Sequence, residues 1–369
     1  MEPDGLYIGL ISGTSADGVD AALVAFENSH PRLVAHHLHP IPDSTRQRLI
    51  SLFTPNDLQI DLMGELDVEM GQIFADAANT LMQQAGVSQQ QICAIGSHGQ
   101  TIRHRPSGQH PFTLQIGDPN VIALGTGVNV VGDFRRRDMA QGGQGAPLAP
   151  LFHQAILSHF TQNRVVLNLG GIANITFLPA QGTPLAMDTG PASGLMDSWC
   201  QQHQGTPFDK SGHWAADGKV CEPLVEQWLM DPYFALAAPK STGKEYFHLP
   251  WAMARAEQLM SSITAVDVQA SLLELTARSI SMAISDLPTE ADSVLVCGGG
   301  VHNDHLMKRL RALIRCPVET TQVAGVAPDW VEAMCFAWLA KCHLEDKRLN
   351  TNPFTGAQGQ VLLGGLYKA

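Results

Sequence analysis

Residues 6–26 read LYIGLISGTSADGVDAALVAF, and residues 165–178 read VVLNLGGIANITFL. In the first stretch an apolar run breaks at Ser12-Gly13-Thr14-Ser15-Ala16-Asp17-Gly18, and apolar and β-branched residues resume from Val19 to Phe26. That is the pattern of strand, turn, strand. In the second the same pattern surrounds Gly170-Gly171-Ile172-Ala173-Asn174. One such pair opens each half of the chain, which points to duplication of a single α/β unit.

Working outward, Leu58, Leu62, Leu66, Met70, Ile73, Phe74, Ala77 and Leu81 recur at spacings of three and four, so residues 57–84 are expected to form an amphipathic helix over one sheet face. Short apolar strands are expected at 92–97, ending in His98-Gly99-Gln100-Thr101, and at 128–131, ending in Gly132-Asp133 and the run Arg135-Arg136-Arg137. Residues 185–187 lead into Asp188-Thr189-Gly190-Pro191, and residues 293–297 into Gly298-Gly299-Gly300. Helices are expected over 193–201, 268–284, 304–314 and 327–343, the last carrying Glu332. Polar groups thus gather where strands end, the place at which open α/β sheets hold their ligands.

At 369 residues the chain suits two domains, and 44% hydrophobic residues are enough to build their cores. The 23 Lys and Arg against 35 Asp and Glu give a net charge of -12, which argues against a general nucleic-acid binder or a partner of anionic membranes. Seven cysteines with no CxxC pair indicate neither a disulfide framework nor a zinc knuckle. Cys93 and Cys297 lie in apolar strand contexts and are expected to be inert core thiols. The first residues carry two acids and no basic segment, and no apolar run approaches the roughly 18 residues of a membrane span, so the cytoplasm is the expected compartment.

The turn from Gly13 to Asp20 offers backbone N–H groups, the hydroxyls of Thr14 and Ser15, and the carboxylates of Asp17 and Asp20. Such a turn, with Gly18 allowing close approach, suits a phosphate chain and Mg²⁺, although Ser, Gly and Asp dominate plain hairpin turns as well. Gly298, Gly299 and Gly300 between a strand and a helix fit either an anion site or close helix–strand packing. Asp188 fits a general base or an Asx turn. The three arginines suit an anionic group or a solvated face. His98, His104 and His110 stand six apart, which does not make a metal site on one helix, and no metal is assigned firmly.

The motifs SGTSADGVD, IGSHGQT, GDFRRRD, GGQGAPL, LNLGGIANIT, MDTGP, PKSTGKEYF, VCGGGVHN and EAMCFAWLA stand in the order and spacing of the 1,6-anhydro-N-acetylmuramic acid kinases. From about Leu6 to the C terminus the chain resembles that family. The resemblance implies a two-domain, actin-like ATPase fold of the ribonuclease H type, with a mixed five-stranded sheet flanked by helices in each domain and an active site in the cleft between them. Domain I would take residues 1–134 and about 350–369, and domain II residues 135–349. ATP and Mg²⁺ are implied, as are a homodimer and an unusual reaction. Water opens the anhydro bridge of the sugar while O6 is phosphorylated, giving N-acetylmuramate 6-phosphate for murein recycling.

Carried over position by position, Asp188 matches the catalytic base and Glu332 a sugar contact that helps orient the water. Thr101 and Arg137 match sugar-holding positions, Arg137 through the lactyl carboxylate. The segment from Gly13 to Asp20 matches the first phosphate loop, with Asp17 or Asp20 near Mg²⁺; Gly170 and Gly171 match the second, and Gly298 to Gly300 the adenosine side. Two departures stand out: Ala192-Ser193 where the family has Gly-Asn, and Ala16 where it commonly has Leu. An Ala at position 192 would strain the loop if φ there were positive. The competing readings are a glycoside hydrolase using Asp188 and Glu332 as its carboxylate pair, and a non-catalytic nucleotide switch on the same fold.

Overall fold

The computed structural model describes every residue except 1–4, 14–15, 28–29, 54–58 and 261. The chain divides into two compact units, Met1–Phe152 with Trp330–Ala369, and His153–Asp329. Among the described residues the strands are β1 (Leu6–Ser12), β2 (Gly18–Glu27), β3 (His30–Pro40), β4 (Ile92–Arg105), β5 (Phe112–Ile116), β6 (Val130–Gly132), β7 (Arg164–Leu169), β8 (Ile172–Leu178), β9 (Leu185–Pro191), β10 (Ser293–Cys297), β11 (Val318–Thr320) and β12 (Gly365–Tyr367).

In the first unit the sheet order is β12-β6-β4-β1-β2-β3, with β5 paired to β4. β1, β2 and β3 form an antiparallel meander, and β4 and β6 run parallel to β1. In the second the order is β11-β10-β7-β8-β9. There β7, β8 and β9 form the meander, and β10 and β11 run parallel to β7. The two meanders are the two stretches that repeat in the sequence, so the duplication extends to strand order and direction. The first sheet has seven strands where five were expected, because β5 folds back on a β4 that runs eight residues past Ser97, and β12 closes the far edge.

Each sheet has its own core. In the first unit the helix Ile60–Ala85 buries Leu66, Met70, Ile73, Phe74, Ala77 and Leu81, the stripe that its periodicity predicts. The helix Val331–Leu344 is buried almost all round and lies against β1 and β4. Two glycines set that seat: a Cβ on Gly9 would collide with the Ala333 carbonyl, and one on Gly96 with the Phe336 carbonyl. The helix bearing Glu332 belongs to the first unit, and the units part at 152/153 and 329/330.

The second unit packs the helix Ala265–Ser285 across its sheet, burying Leu272, Leu275 and Ile280. On that helix Glu274, 2% exposed, accepts from Arg309 Nε at 2.5 Å and Arg278 Nε at 2.6 Å, and Arg278 reaches on to Glu222. Arg309 belongs to the helix Asp304–Leu313, so the network ties the element after the glycine triplet to the core helix. Among the described residues no helix is long and apolar enough to cross a membrane. Cys297 is buried as expected, whereas Cys93 is exposed near the start of β4, where the alternation of the strand turns it outward.

Candidate active site

In the second unit the site is built around Asp188. β9 pairs Ala173 with Gly190 and Asn174 with Asp188, so Thr189 is an extra residue, a β-bulge. Bulges re-aim side chains next to functional sites. Here Thr189 turns inward, its hydroxyl donating to the Ala173 carbonyl at 3.3 Å, while Asp188 stays half-buried and accessible. Gly190 follows with φ +148°, and a Cβ there would sit 2.8 Å from the ring of Phe234.

The loop through Lys240, Ser241 and Thr242 clamps Asp188. Its backbone N–H donates to the Lys240 carbonyl at 3.0 Å, and Tyr233 Oη donates to its carbonyl at 2.9 Å. Ser241 Oγ donates to Oδ2 at 2.9 Å and the Thr242 N–H at 2.8 Å. Both hydrogen bonds fall on one carboxylate oxygen, so Oδ1 is left to accept from something else. Burial pushes the carboxyl above its ordinary range; the bonds from Thr242 and Ser241 oppose this, and nearby Glu245 adds to it.

The glycines sort by what surrounds them. Gly170 and Gly171 make the β7–β8 turn, and their carbonyls accept from the N–H groups of Ser193, Ala192 and Gly194 and from Ser193 Oγ at 3.0–3.1 Å. This fastens the start of the helix Ser193–Gln204 to the turn. Ala192 has φ −118°, outside the left-handed region, so the strain expected of an Ala at this position does not arise. Gly298, at φ +82°, and Gly300 are packing glycines, since a Cβ on either would meet Asn168 or Leu169 of β7. A Cβ on Gly299 would meet nothing within 4 Å, which makes it the open member of the triplet.

In the first unit Thr14 and Ser15 lie outside the described residues. Around them Gly13 is exposed, and its carbonyl accepts from Gln100 Nε2 at 3.1 Å. Ser12 Oγ donates to Gln100 Oε1 at 2.6 Å, so buried Gln100 holds the turn from beneath. Ala16 sits at φ +50°, fully buried, donating its N–H to Gly13 O at 3.1 Å. Asp17 is exposed and Asp20 half-buried. Gly13 is thus the exposed glycine of this segment, whereas Gly18 is buried at the start of β2. Among the described residues no group of three or more His, Cys, Asp or Glu is arranged to hold a metal.

Thr101 and the arginines complete the first unit's polar face. Thr101 is half-buried on β4, its hydroxyl accepting from Gln115 Nε2 at 3.0 Å. Arg137 is exposed on the helix Phe134–Ala140 and makes no hydrogen bond or ion pair among the described residues. Arg135 is the better-held arginine: Nε donates to His98 Nε2 at 2.8 Å and Nη1 to the Gly145 carbonyl at 2.9 Å. His98 Nδ1 donates to its neighbour Gly99 O at 2.9 Å, which fixes a neutral tautomer; burial, with Arg135 beside it, holds its pKa well below the ordinary range. Burial raises the Glu332 carboxyl and Arg135 opposes the rise, so these two form an electrostatic pair within the unit. Position in the FRRRD run does not single out Arg135; only the fold of β4 behind the helix does so.

Two units of one strand order, each with a glycine turn after its first strand, have the build of an actin-like kinase. The chain belongs to the anhydro-N-acetylmuramic acid kinase family, whose model matches residues 5–369. Anhydro-N-acetylmuramic acid kinases of Coxiella burnetii (strain RSA 493 / Nine Mile phase I) and Xanthomonas campestris pv. campestris (strain 8004) are 50% and 52% identical to it. The first comparison covers 99% of this chain and 98% of the relative, the second 99% and 97%. One from Saccharophagus degradans is 47% identical over the whole of both chains.

Proposed function

We propose that the protein is an ATP-dependent kinase that opens 1,6-anhydro-N-acetylmuramic acid with water and phosphorylates O6, giving N-acetylmuramate 6-phosphate and ADP. The observation that carries this reading is Asp188: a carboxylate pinned through one oxygen, open at the other, and raised toward the range in which a general base works.

In this reaction water attacks C1 as the C1–O6 bond breaks, and the water's proton passes to Asp188. The departing O6 bonds to the γ-phosphorus while that atom's bond to the β–γ bridging oxygen breaks. One carboxylate is sufficient because the phosphoryl group takes the place of the acid that caps the leaving oxygen in a glycosidase. ATP supplies the phosphoryl group and Mg²⁺ the charge neutralisation. Gly13 and Gly18 of the first unit and Gly170, Gly171 and Gly299 of the second would hold the nucleotide, with Asp17 or Asp20 near the metal. Thr101, Arg137 and Glu332 would hold the sugar, Glu332 also orienting the water. A homodimer, a cytoplasmic location and a role in murein recycling complete the proposal.

The test is ADP release from Mg·ATP with and without the anhydro sugar, with N-acetylmuramate and N-acetylglucosamine as controls, followed by mass analysis. Release only with the anhydro sugar, giving a product heavier by one phosphoryl group and one water, is expected. Release of free sugar without phosphate would instead identify a hydrolase.

A further inference from the structure

The loop that clamps Asp188 carries a cation with no assigned task. Lys244 is exposed, and its Nζ makes no hydrogen bond or ion pair among the described residues. Its stem lies directly over the β7–β8 turn: a Cβ on Gly171 would collide with Lys244 Cε and stand 3.0 Å from Nζ. The absence of a side chain at 171 is therefore what lets the ammonium lie on the turn. The carbonyls beneath, Gly170 O and Gly171 O, are already occupied by N–H groups of residues 192–194 and Ser193 Oγ, so the turn does not need the ammonium. Half-buried Asp197, whose carboxyl burial pushes up to about 6, is bonded by Ser193 and feels the Lys244 charge, which gives the ammonium a counter-charge beyond direct pairing distance.

We propose that Lys244 is a nucleotide-binding residue, its ammonium reaching over the Gly170–Gly171 turn to the polyphosphate of ATP. This inference rests on the kinase reading above and adds a residue to its nucleotide site. Only Gly243 separates Lys244 from Thr242, whose N–H holds Asp188 Oδ2, and the Gly243 carbonyl accepts from the N–H groups of Tyr246 and Phe247 at 3.1 Å, closing the segment into a tight turn. Polyphosphate bound by Lys244 would thereby steady the clamp on the base. An ammonium reads phosphate as a point charge, so the contribution grows with the number of phosphates.

The experiment is titration calorimetry of the full chain with the β,γ-imido analogue of ATP and with AMP, both in Mg²⁺ and without sugar. Lys244→Met is expected to weaken the triphosphate analogue at least tenfold and AMP less than twofold, and Lys244→Arg to bind the analogue within threefold of the unaltered protein. Equal losses for both nucleotides, or no loss, would overturn the assignment. Because Lys244 is exposed, the variant should melt at the same temperature as the parent. If the unaltered protein binds no nucleotide, the kinase reading itself fails; if it binds and Lys244→Met matches it, only Lys244 is removed.

Discussion

Asp188 has one oxygen engaged and one open. Asp188→Asn keeps the shape and a hydrogen-bonding oxygen but removes the basic group. We predict that turnover falls by several orders of magnitude while nucleotide affinity, read by calorimetry, changes little, because a base acts in the transition state. The base works only when ionised, and burial raises its pKa, so kcat should rise with pH through an apparent pKa above the ordinary carboxylate value of 3.8. A profile flat to below that value would remove Asp188 from the role. Arg137→Ala is expected to raise KM for the acidic sugar and much less for an analogue lacking the lactyl carboxylate. Equal changes for both sugars would mean that the exposed arginine is only part of a solvated face. The motif MDTGP makes Asp188 legible from the sequence, but its clamp is not, because Ser241 and Thr242 lie more than fifty residues away and only the fold brings them to it.

The elements obey patterns that local sequence carries to different depths. The meanders and the helix Ile60–Ala85 were legible, since alternation and a 3.6-residue period are written in consecutive residues. The bulge at Thr189 was not, because an extra residue in one strand is defined by its partner strand. Nor was the ownership of the helix Val331–Leu344: its apolar residues run all round it, so no stripe indicates which sheet it joins. Gly9 and Gly96 give it its seat, and Gly96→Ala should drive the helix off β4 at a cost of about 1–3 kcal/mol. A lower midpoint in urea denaturation would register the loss; an unchanged midpoint would mean that the helix moves freely. In the second unit burial disfavours charged Glu274, but hydrogen bonds from Arg309 and Arg278 outweigh it and hold the carboxyl below its ordinary value of 4.5. A depressed carboxyl contributes stability above the unfolded-state pKa and loses it as pH falls through the folded one. Glu274→Gln should therefore flatten the acid limb of the stability curve below about pH 4.5, measured against the parent by denaturant titration at several pH values.

At the scale of the whole chain, the first unit is assembled from both ends of the sequence and the second from the continuous stretch His153–Asp329. Its sheet is finished only when Gly365–Tyr367 pairs with β6, and its buried helix comes from residues 331–344. This arrangement has a consequence for synthesis. Domains fold as they leave the ribosome, usually in N-terminal order, yet here the unit that begins first has all its parts last. The inner unit emerges entire while β1 to β6 still lack the helix that covers them, so the newborn chain exposes the apolar face around Gly9 and Gly96 until residues 331–344 have been added.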